Sequence, residues 1–407
     1  MNHQNYKLDN IDKKVVVIGS GPGGYAAAFR LSDLGCKVIL IDKDSNLGGV
    51  CLNRGCIPSK AFLHLSHLID ETKKSSDKGL FFNKPTIDIK KINEWKNSIV
   101  SKLTSGIKVL SKQRKIEILN GVASFLSANK LSIIDQQNKT IELNFDYCII
   151  ATGSSPSKIK NLDINHSLII NSTKALSPET IPKKMLVVGG GYIGLELGSV
   201  YQSFGTKITI AEYSSELLPM ADQDLVKPLY KKLSEKFSNI HLSTEVKTLQ
   251  PENNKVIATF QSKDKLYKDS FDKILISAGR SPNTKLLNLE KAGIKLNNKG
   301  FISVNKKLRT IIPNIYAIGD VIGNPMLAHK ATHEGKCAAE NIVGIDTIFE
   351  PMAIPSVIYT NPEIAWAGLT EKELNNNNIK FNKSIFPWSA SGRAMTTDCI
   401  DGKTKIL

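Results

Sequence analysis

Cys51 and Cys56, two cysteines separated by four residues, are the part of the sequence best able to do chemistry. A disulfide needs Cα atoms about 4.4–6.8 Å apart, whereas five residues of α-helix rise about 7.5 Å. The pair could therefore bridge only across a distorted first helical turn, and Gly55 can absorb such a distortion. These cysteines are either a redox pair that cycles between disulfide and dithiol, or two unrelated buried thiols.

The residues after the second cysteine favour the redox interpretation. Lys60 lies about one helical turn beyond Cys56, and a helix N-terminus and a nearby positive charge both lower the pKa of a thiol. Six cysteines in a 407-residue chain with no apparent secretory signal are, by count alone, more typical of unrelated buried thiols. The sequence around the pair, and not the cysteine content, therefore has to separate the two interpretations.

The first elements of the chain have the order strand, glycine-rich turn, helix, strand and acid. The apolar run 15–18 predicts a buried parallel strand and the stretch 25–34 predicts a helix. The turn between them carries the glycines Gly19, Gly21 and Gly24. Asp42 lies 18 residues after the last glycine, at the end of the next predicted strand. This order is the dinucleotide fingerprint, in which backbone approaches a pyrophosphate and the acid accepts from ribose hydroxyls.

The same pattern occurs a second time, after a second apolar strand at 185–188. The glycines of this copy are Gly189, Gly191 and Gly194. Glu212 again follows the last glycine by 18 residues at the end of a predicted strand. The two copies also close alike, in the stretches 145–156 and 271–282. The chain therefore contains two copies of one nucleotide-binding fold.

The remaining segments are predicted around these two copies. The first copy is 44 residues longer and holds the cysteine pair together with an amphipathic helix over 88–113, whose apolar face is expected to pack in the core. After the second copy, Asp320 ends another apolar strand and a helix runs to about Ile342. From Pro351 onward, short strand-like runs and turns predict a separate α+β domain.

Composition excludes several classes of function. With 41% hydrophobic and 23% charged residues, the chain is predicted to be globular and not disordered. The net charge of +16 is scattered along the chain and forms no basic stripe, so we expect no nucleic-acid partner. No run approaches the roughly 20 apolar residues of a transmembrane helix, so we expect a cytoplasmic protein without a membrane partner.

Five ordered motifs together resemble the pyridine nucleotide–disulfide oxidoreductases. These are the two fingerprints, the Cys-x₄-Cys stretch between them, the segment 316–320 and the opening 354–356. The resemblance implies an α/β fold with two Rossmann-like nucleotide-binding domains, one for FAD and one for NAD, and an α+β dimerisation domain. It implies the boundaries 1–152 (FAD and redox disulfide), 153–282 (NAD), 283–350 (return to the FAD domain) and 351–407 (dimerisation).

The resemblance also implies roles for single residues. Cys51 would exchange with the substrate, and Cys56 would face the flavin ring. Lys60 would lie near the flavin and pair with Glu196. The other implied cofactor-binding residues are Asp42, Ala123, Gly153, Asp320 and Ala328 for FAD, and Glu212, Val246 and Gly279 for NAD. Tyr192 either covers the nicotinamide pocket or packs, and His329 and His333 are interpreted as structural, so no metal site is predicted.

Within the family, the resemblance is greatest to members that oxidise the dihydrolipoyl groups of 2-oxoacid dehydrogenase complexes with NAD⁺. It implies a homodimer and the lipoyl domains of those complexes as partners. Glu212 disfavours the NADP of the glutathione or mercuric reductase type, because it would face a 2′-phosphate.

The sequence departs from the family at one point. The family's general base is a His–Glu pair near the C-terminus, whereas the seven histidines here all lie at or before residue 333 and the chain stops at Leu407. We therefore expect a C-terminally truncated chain with an incomplete dimerisation domain. The alternative is a non-enzymatic remnant, or one that only reduces dyes with NADH.

Overall fold

The computed structural model describes residues 12–263 and 265–407. Residues 1–11 lie outside the described residues. They include His3 and the start of the first predicted domain. No helix within the described ranges is both long and apolar enough to cross a membrane.

The described residues form twenty-one strands, of which only the third and the twelfth to fourteenth are longer than six residues. In chain order they are β1 (Lys14–Ile18), β2 (Lys37–Asp42), β3 (Glu117–Ser127), β4 (Lys130–Asp135), β5 (Thr140–Asn144), β6 (Tyr147–Ile150), β7 (Ser154–Pro156), β8 (Ile169–Asn171), β9 (Lys184–Val188), β10 (Lys207–Ala211), β11 (Asn239–His241), β12 (Thr244–Glu252), β13 (Lys255–Ser262), β14 (Lys265–Phe271), β15 (Lys273–Ile276), β16 (Arg280–Pro282), β17 (Ile315–Ala317), β18 (Ser356–Ile358), β19 (Ile364–Trp366), β20 (Ser384–Pro387) and β21 (Lys403–Ile406).

The described residues also form ten α-helices, and short 3₁₀ turns lie at 75–78, 289–292, 319–322 and 388–390. In chain order the α-helices are α1 (Pro22–Asp33), α2 (Gly49–Arg54), α3 (Cys56–Lys74), α4 (Ile89–Gln113), α5 (Ser172–Ala175), α6 (Tyr192–Ser203), α7 (Gln223–Lys236), α8 (Ala328–Ile342), α9 (Glu371–Asn376) and α10 (Gly392–Thr396).

The chain divides into two compact units. The first comprises residues 12–57, 97–155 and 280–351 of the described chain. Its seven-stranded sheet has the order β17-β6-β1-β2-β3-β4-β5, parallel from β17 to β3 and antiparallel beyond. Val15 and Val17 pack on one face with α1 and α8, while Val16 and Ile18 pack on the other. A strand covered on both faces needs the continuous apolar run that the sequence shows.

The second unit comprises residues 58–96, 156–279 and 352–407. Its five-stranded sheet has the order β11-β10-β9-β15-β8 and is parallel throughout. Three antiparallel strands, β12 to β14, form a separate sheet, and β18–β19 and β20–β21 are two further antiparallel pairs. Residues 280–351 thus return to the first unit, while the four predicted domain boundaries stay a prediction.

Helix α4 corrects one expectation about packing. The predicted helix is present, but three positions of its apolar face, Trp95, Leu103 and Leu110, are about two-fifths exposed at 39%, 42% and 41%. Lys96 is buried instead, because its ammonium donates to the Leu176 carbonyl oxygen over 2.7 Å. The interpretation of that face as core packing is therefore wrong at these positions.

Candidate active site

The first glycine fingerprint forms a tight loop at the carboxyl end of β1. Gly19 has a φ of +105°, and a Cβ on Gly24 would lie 1.8 Å from the Gly19 carbonyl oxygen, so neither position accepts a side chain. The Asp42 carboxylate accepts from the backbone N–H and the hydroxyl of Ser20, both over 2.6 Å, and from the Asp44 N–H over 2.9 Å. The acid is therefore fixed beside the glycine loop.

The second fingerprint repeats this geometry in the second unit. A Cβ on Gly194 would lie 2.2 Å from the Gly189 carbonyl oxygen. Glu212 accepts from the Gly190 N–H over 2.5 Å and from the Ser214 N–H over 2.7 Å. Each sheet thus holds a glycine loop and an acid at the carboxyl edge of its parallel strands, which is where open α/β sheets bind ligands.

The middle glycine of each loop, unlike the first and the last, has free space where a Cβ would lie. Gly21 and Gly191 are the N-caps of α1 and α6 and have extended backbones. A Cβ built on either would meet nothing within 4 Å. Packing of the protein therefore does not require glycine there, and the open space in front of a helix N-terminus suits an anionic pyrophosphate.

The two candidate redox cysteines lie on consecutive helices. Cys51 is in α2 and half-buried, whereas Cys56 is exposed and is the first residue of α3. Gly55 interrupts the helix between them, and a Cβ there would lie 2.9 Å from the Val50 carbonyl oxygen. The expected distortion is therefore a complete helix break, which places Cys56 at the N-terminus of a 19-residue helix.

The redox loop packs directly on the first fingerprint. A Cβ on Gly49 would lie 2.6 Å from the Gly21 Cα, and the Gly48 N–H donates to the Ser20 carbonyl oxygen over 2.9 Å. Asn53, which sequence analysis did not single out, ties the loop together by donating to the carbonyl oxygens of Leu47 and Gly49 over 3.1 Å and 3.0 Å. Cys51 is thus held beside the glycine loop.

Both thiols lie within electrostatic range of Tyr25 in α1. Burial raises the pKa of the Tyr25 phenol, and the negative charges of Cys51 and Cys56 raise it further. By contrast, Cys36, Cys148 and Cys337 are buried thiols whose pKa burial raises. Only a thiolate is reactive, so these three cysteines are suited to packing and not to exchange.

Lys60 and Glu196 form an ion pair within the second unit. The Lys60 ammonium lies 3.1 Å from Glu196 Oε2 and donates to the Ser59 hydroxyl over 3.4 Å. The Glu196 side chain is 5% exposed and that of Lys60 is 35% exposed. The Glu196 carboxylate is therefore the buried member of the pair, and the Lys60 side chain is partly exposed to solvent.

Asp320 is held by residues that sequence analysis did not assign. It accepts from the Ser154 hydroxyl, and Arg280 Nε lies 3.7 Å from the Asp320 carboxylate. The Gly319 N–H donates to buried Glu334 over 2.7 Å, and Glu334 pairs with buried Lys330 over 2.7 Å. Burial raises the pKa of Glu334, although Lys330 and the Gly319 N–H oppose the rise.

Helix α8 brings Ala328 to the same end of the first unit. A Cβ on Gly335 would lie 2.5 Å from the Gly23 carbonyl oxygen, so α8 packs directly on α1. Ala328 is the first residue of α8. The His333 ring packs edge-on against the Phe349 ring, with the two ring centroids 5.3 Å apart.

The remaining predicted residues lie in both units. Ala123 is buried in β3, and Gly153 has a φ of +68° and accepts from the Asn283 N–H over 2.9 Å. In the second unit, Val246 is buried in β12, and the Gly279 carbonyl oxygen accepts from the Ser157 N–H over 3.0 Å. Their roles toward cofactors stay predictions, as does the role of Tyr192, which packs half-buried against the core.

Among the described residues, one carboxylate cluster has the spacing of a cation site, namely Asp222, Asp224 and Glu371. The Lys405 ammonium lies 2.8 Å, 2.7 Å and 3.1 Å from these three carboxylates. The protein therefore supplies its own cation at this cluster.

Comparison with known proteins defines the class. Residues 13–335 match the family described as pyridine nucleotide-disulphide oxidoreductase, and residues 354–407 match the dimerisation domain of that family. The chain belongs to the pyridine nucleotide-disulphide oxidoreductase family. The predicted fold class, with two Rossmann-like nucleotide-binding folds, is thereby confirmed.

Individual similar proteins indicate which members of the family this chain resembles. The chain is 47% identical over 395 residues to dihydrolipoyl dehydrogenase of Buchnera aphidicola subsp. Acyrthosiphon pisum, which covers 97% of this chain and 83% of that protein. It is 44% identical over 398 residues to dihydrolipoyl dehydrogenase of Vibrio parahaemolyticus, covering 98% and 83%. The HOCl-induced flavoprotein disulfide reductase RclA of Escherichia coli matches with a TM-score of 0.85 at 26% identity, over 97% of this chain and 86% of RclA.

These relatives favour a dihydrolipoyl dehydrogenase over the two alternatives, a non-enzymatic or dye-reducing remnant and a reductase of the glutathione or mercuric type. The predictions of a flavoprotein disulfide oxidoreductase, and of FAD and NAD as its cofactors, are confirmed. The open space at Gly21 and Gly191, with the fixed acids Asp42 and Glu212, fits these two dinucleotides.

Proposed function

We propose that this protein oxidises protein-bound dihydrolipoyl groups to lipoyl groups and reduces NAD⁺. The observation that supports this most is the contact of Gly49 with Gly21, because it fixes the redox loop of Cys51 against a glycine loop built for a dinucleotide. The overall reaction converts a dithiol and NAD⁺ into a cyclic disulfide, NADH and a proton.

The cysteines would carry the thiol exchange. A thiolate of the substrate attacks Cys51 Sγ of the Cys51–Cys56 disulfide, which forms a mixed disulfide and releases Cys56 as a thiolate. The second substrate thiolate then attacks the substrate sulfur, so that the cyclic disulfide leaves and Cys51 is released. The N-terminus of α3 favours the charge on Cys56.

The other residues would bind and orient the cofactors. Asp42 accepts from the adenosine ribose of FAD, Asp320 holds its ribityl chain, and Glu212 accepts from the ribose of NAD. FAD, when bound, supplies the electron carrier between the cysteine pair and the nicotinamide. Lys60, anchored by Glu196, places a positive charge near the flavin.

The partners follow from the same proposal. The lipoyl domains of 2-oxoacid dehydrogenase complexes would present the substrate. Residues 354–407, which match the family's dimerisation domain, would join two copies of the chain.

A comparison of turnover with different thiol substrates tests this function. Reduction of NAD⁺ and of NADP⁺ is measured with free dihydrolipoamide, with a dihydrolipoyl domain and with glutathione, in the wild type and in Cys51→Ser. We expect turnover with both dihydrolipoyl substrates and a loss of at least about 100-fold in Cys51→Ser. The exposed Cys399 offers a matched control, and Cys399→Ser should keep wild-type turnover. Faster reaction with glutathione and NADP would contradict the proposal.

A further inference from the structure

Tyr359 contacts both members of the Lys60–Glu196 pair. Its backbone N–H donates to Glu196 Oε1 over 3.0 Å, so the two carboxylate oxygens are divided between Tyr359 and Lys60. The Lys60 ammonium lies over the Tyr359 ring, 4.1 Å from its centroid. An ammonium at this distance is attracted by the negative face of the ring.

The Tyr359 backbone is a rigid support. Ile358 before it and Thr360 after it are 2% and 0% exposed, and the Thr360 hydroxyl donates to the Pro362 carbonyl oxygen over 2.8 Å. Ile358 belongs to β18, which pairs with β19. The backbone of Tyr359 is therefore fixed from both sides along the chain.

Lys60 needs such a support because its other contacts are weak. Its ammonium makes one contact of 3.1 Å to Glu196 and one of 3.4 Å to Ser59, and its side chain is 35% exposed. An ion pair of a long, partly exposed lysine is worth little by itself, because solvent screens it and ordering the side chain costs entropy. The Tyr359 ring lies over the ammonium and gives it a further contact.

We propose that Tyr359 is a positioning residue that fixes the Lys60 ammonium through its ring face and the Glu196 carboxylate through its backbone N–H. The effect of this positioning on the flavin rests on the proposed function. Tyr359 lies in the segment that matches the dimerisation domain. That segment therefore contributes to the ion pair as well as to association.

A series of substitutions separates the ring from the backbone contact, which every variant keeps. Tyr359→Phe retains the ring face, Tyr359→Trp enlarges it, and Tyr359→Leu removes it. The rate of acylation of Lys60 is measured by mass spectrometry on the protein as purified with FAD. Lys184 is the internal reference, because it also lies over a ring, that of Phe271, at 4.7 Å and pairs with Asp269 over 2.6 Å.

We expect Lys60 to react about three- to fivefold faster in Tyr359→Leu than in the wild type. Tyr359→Phe should match the wild type, Tyr359→Trp should be slower, and Lys184 should be unchanged throughout. Equal Lys60 rates in the wild type, Phe, Trp and Leu proteins would overturn the positioning role. Should the Leu variant fail to fold, the Trp variant still decides, because a rate equal to the wild type would overturn the role.

A second measurement separates this inference from the proposed function. The reduction of the bound flavin that follows reduction of the cysteine pair is measured by absorbance at fixed NADH to NAD⁺ ratios in the wild type, Tyr359→Phe and Tyr359→Leu. We expect Tyr359→Leu alone to need a severalfold higher ratio for half-reduction of the flavin, because a displaced ammonium no longer favours the reduced flavin. Faster acylation with an unchanged flavin titration would support the positioning of Lys60 by Tyr359 and overturn the placement of Lys60 at the flavin.

Discussion

Asp42 and Glu212 occupy equivalent places in the two nucleotide-binding folds. The Glu212 side chain is longer by one methylene, and the residue that faces it is correspondingly smaller than the residue that faces Asp42. Opposite Asp42 is Ser20, whose hydroxyl donates to the carboxylate over 2.6 Å. Opposite Glu212 is Gly190, where a Cβ would lie 3.2 Å from both the Cβ and the Cγ of Glu212. The two modules thus keep one hydrogen-bonding scheme, with a shorter acid beside a side chain and a longer acid beside bare backbone.

Glu212 is expected to select NADH over NADPH. Its carboxylate accepts from ribose hydroxyls but repels a 2′-phosphate, and a like charge at close range is strongly unfavourable. Glu212→Gln keeps an acceptor for the Gly190 N–H and removes the charge. We expect the ratio of kcat/KM for NADH to that for NADPH, measured in dye reduction, to fall at least about tenfold. Glu252→Gln, at the exposed end of β12, should leave the ratio unchanged. A wild-type ratio at or below one would contradict the assignment.

Two glycines of the second fingerprint should respond differently to alanine. In Gly191→Ala the Cβ meets nothing within 4 Å, so stability and FAD content should be unchanged while KM for NADH rises about tenfold, or about 1.4 kcal/mol. In Gly194→Ala the Cβ lies 2.2 Å from a carbonyl oxygen, which should lower the free energy of unfolding by about 1–3 kcal/mol or more. Thermal unfolding and NADH titration check both variants. Equal destabilisation would show that Gly191 serves packing.

Lys405 is expected to stabilise the second unit. Its side chain is 3% exposed, and its ammonium pairs with Asp222, Asp224 and Glu371. Lys405→Met leaves Asp222 and Asp224 without their cation, whereas Glu371 keeps its pair with Lys383. We expect a loss of about 3 kcal/mol, the lower end for a broken buried pair, because Asp224 and Glu371 still reach water. Urea unfolding measures the loss. Lys380→Met, which removes an exposed lysine of the same unit, should change stability by less than about 0.5 kcal/mol.

The same cluster predicts a pH dependence. Burial raises the pKa of Asp222, but hydrogen bonds from Lys405 and from the backbone of Glu371 and Lys372 outweigh it, so the pKa is lowered overall. A carboxyl whose folded-state pKa is depressed contributes stability above its unfolded pKa and loses it as the pH falls through the folded value. We therefore expect the wild type to lose more stability than Lys405→Met between about pH 4 and pH 2. Parallel losses in unfolding experiments would contradict this.

Local patterns were sufficient to predict the two fingerprints. Gly24 and Asp42 lie within one strand–turn–helix–strand unit, so spacing alone indicates their contact with the loop. The partners of Asp320 could not be predicted in this way. Ser154 and Arg280 come from distant positions in the chain, and only the pairing of β17 with β6 and the return of residues 280–351 bring them to Asp320. Glu334 carried a signal, its i,i+4 spacing from Lys330, but nothing in the sequence indicated its burial.

Helix α4 shows a second limit of periodicity. Its apolar spacing identified the helix but not which apolar positions face the protein. The burial of Lys96 depends on its contact with the Leu176 carbonyl oxygen, which only the tertiary fold provides. Gly55 shows the reverse case. The spacing of the cysteines required a distorted turn, and the structure resolves that requirement with two helices.

We propose that Cys51 and Cys56 form the redox pair and that Cys56 faces the flavin. The most direct test is anaerobic two-electron reduction of the purified yellow protein, followed by absorbance at long wavelength. We expect the wild type to develop a charge-transfer band from the Cys56 thiolate, Cys56→Ser to lack it, and Cys51→Ser to show it before any reductant is added. Direct bleaching of the wild-type flavin with no such band would contradict the claim.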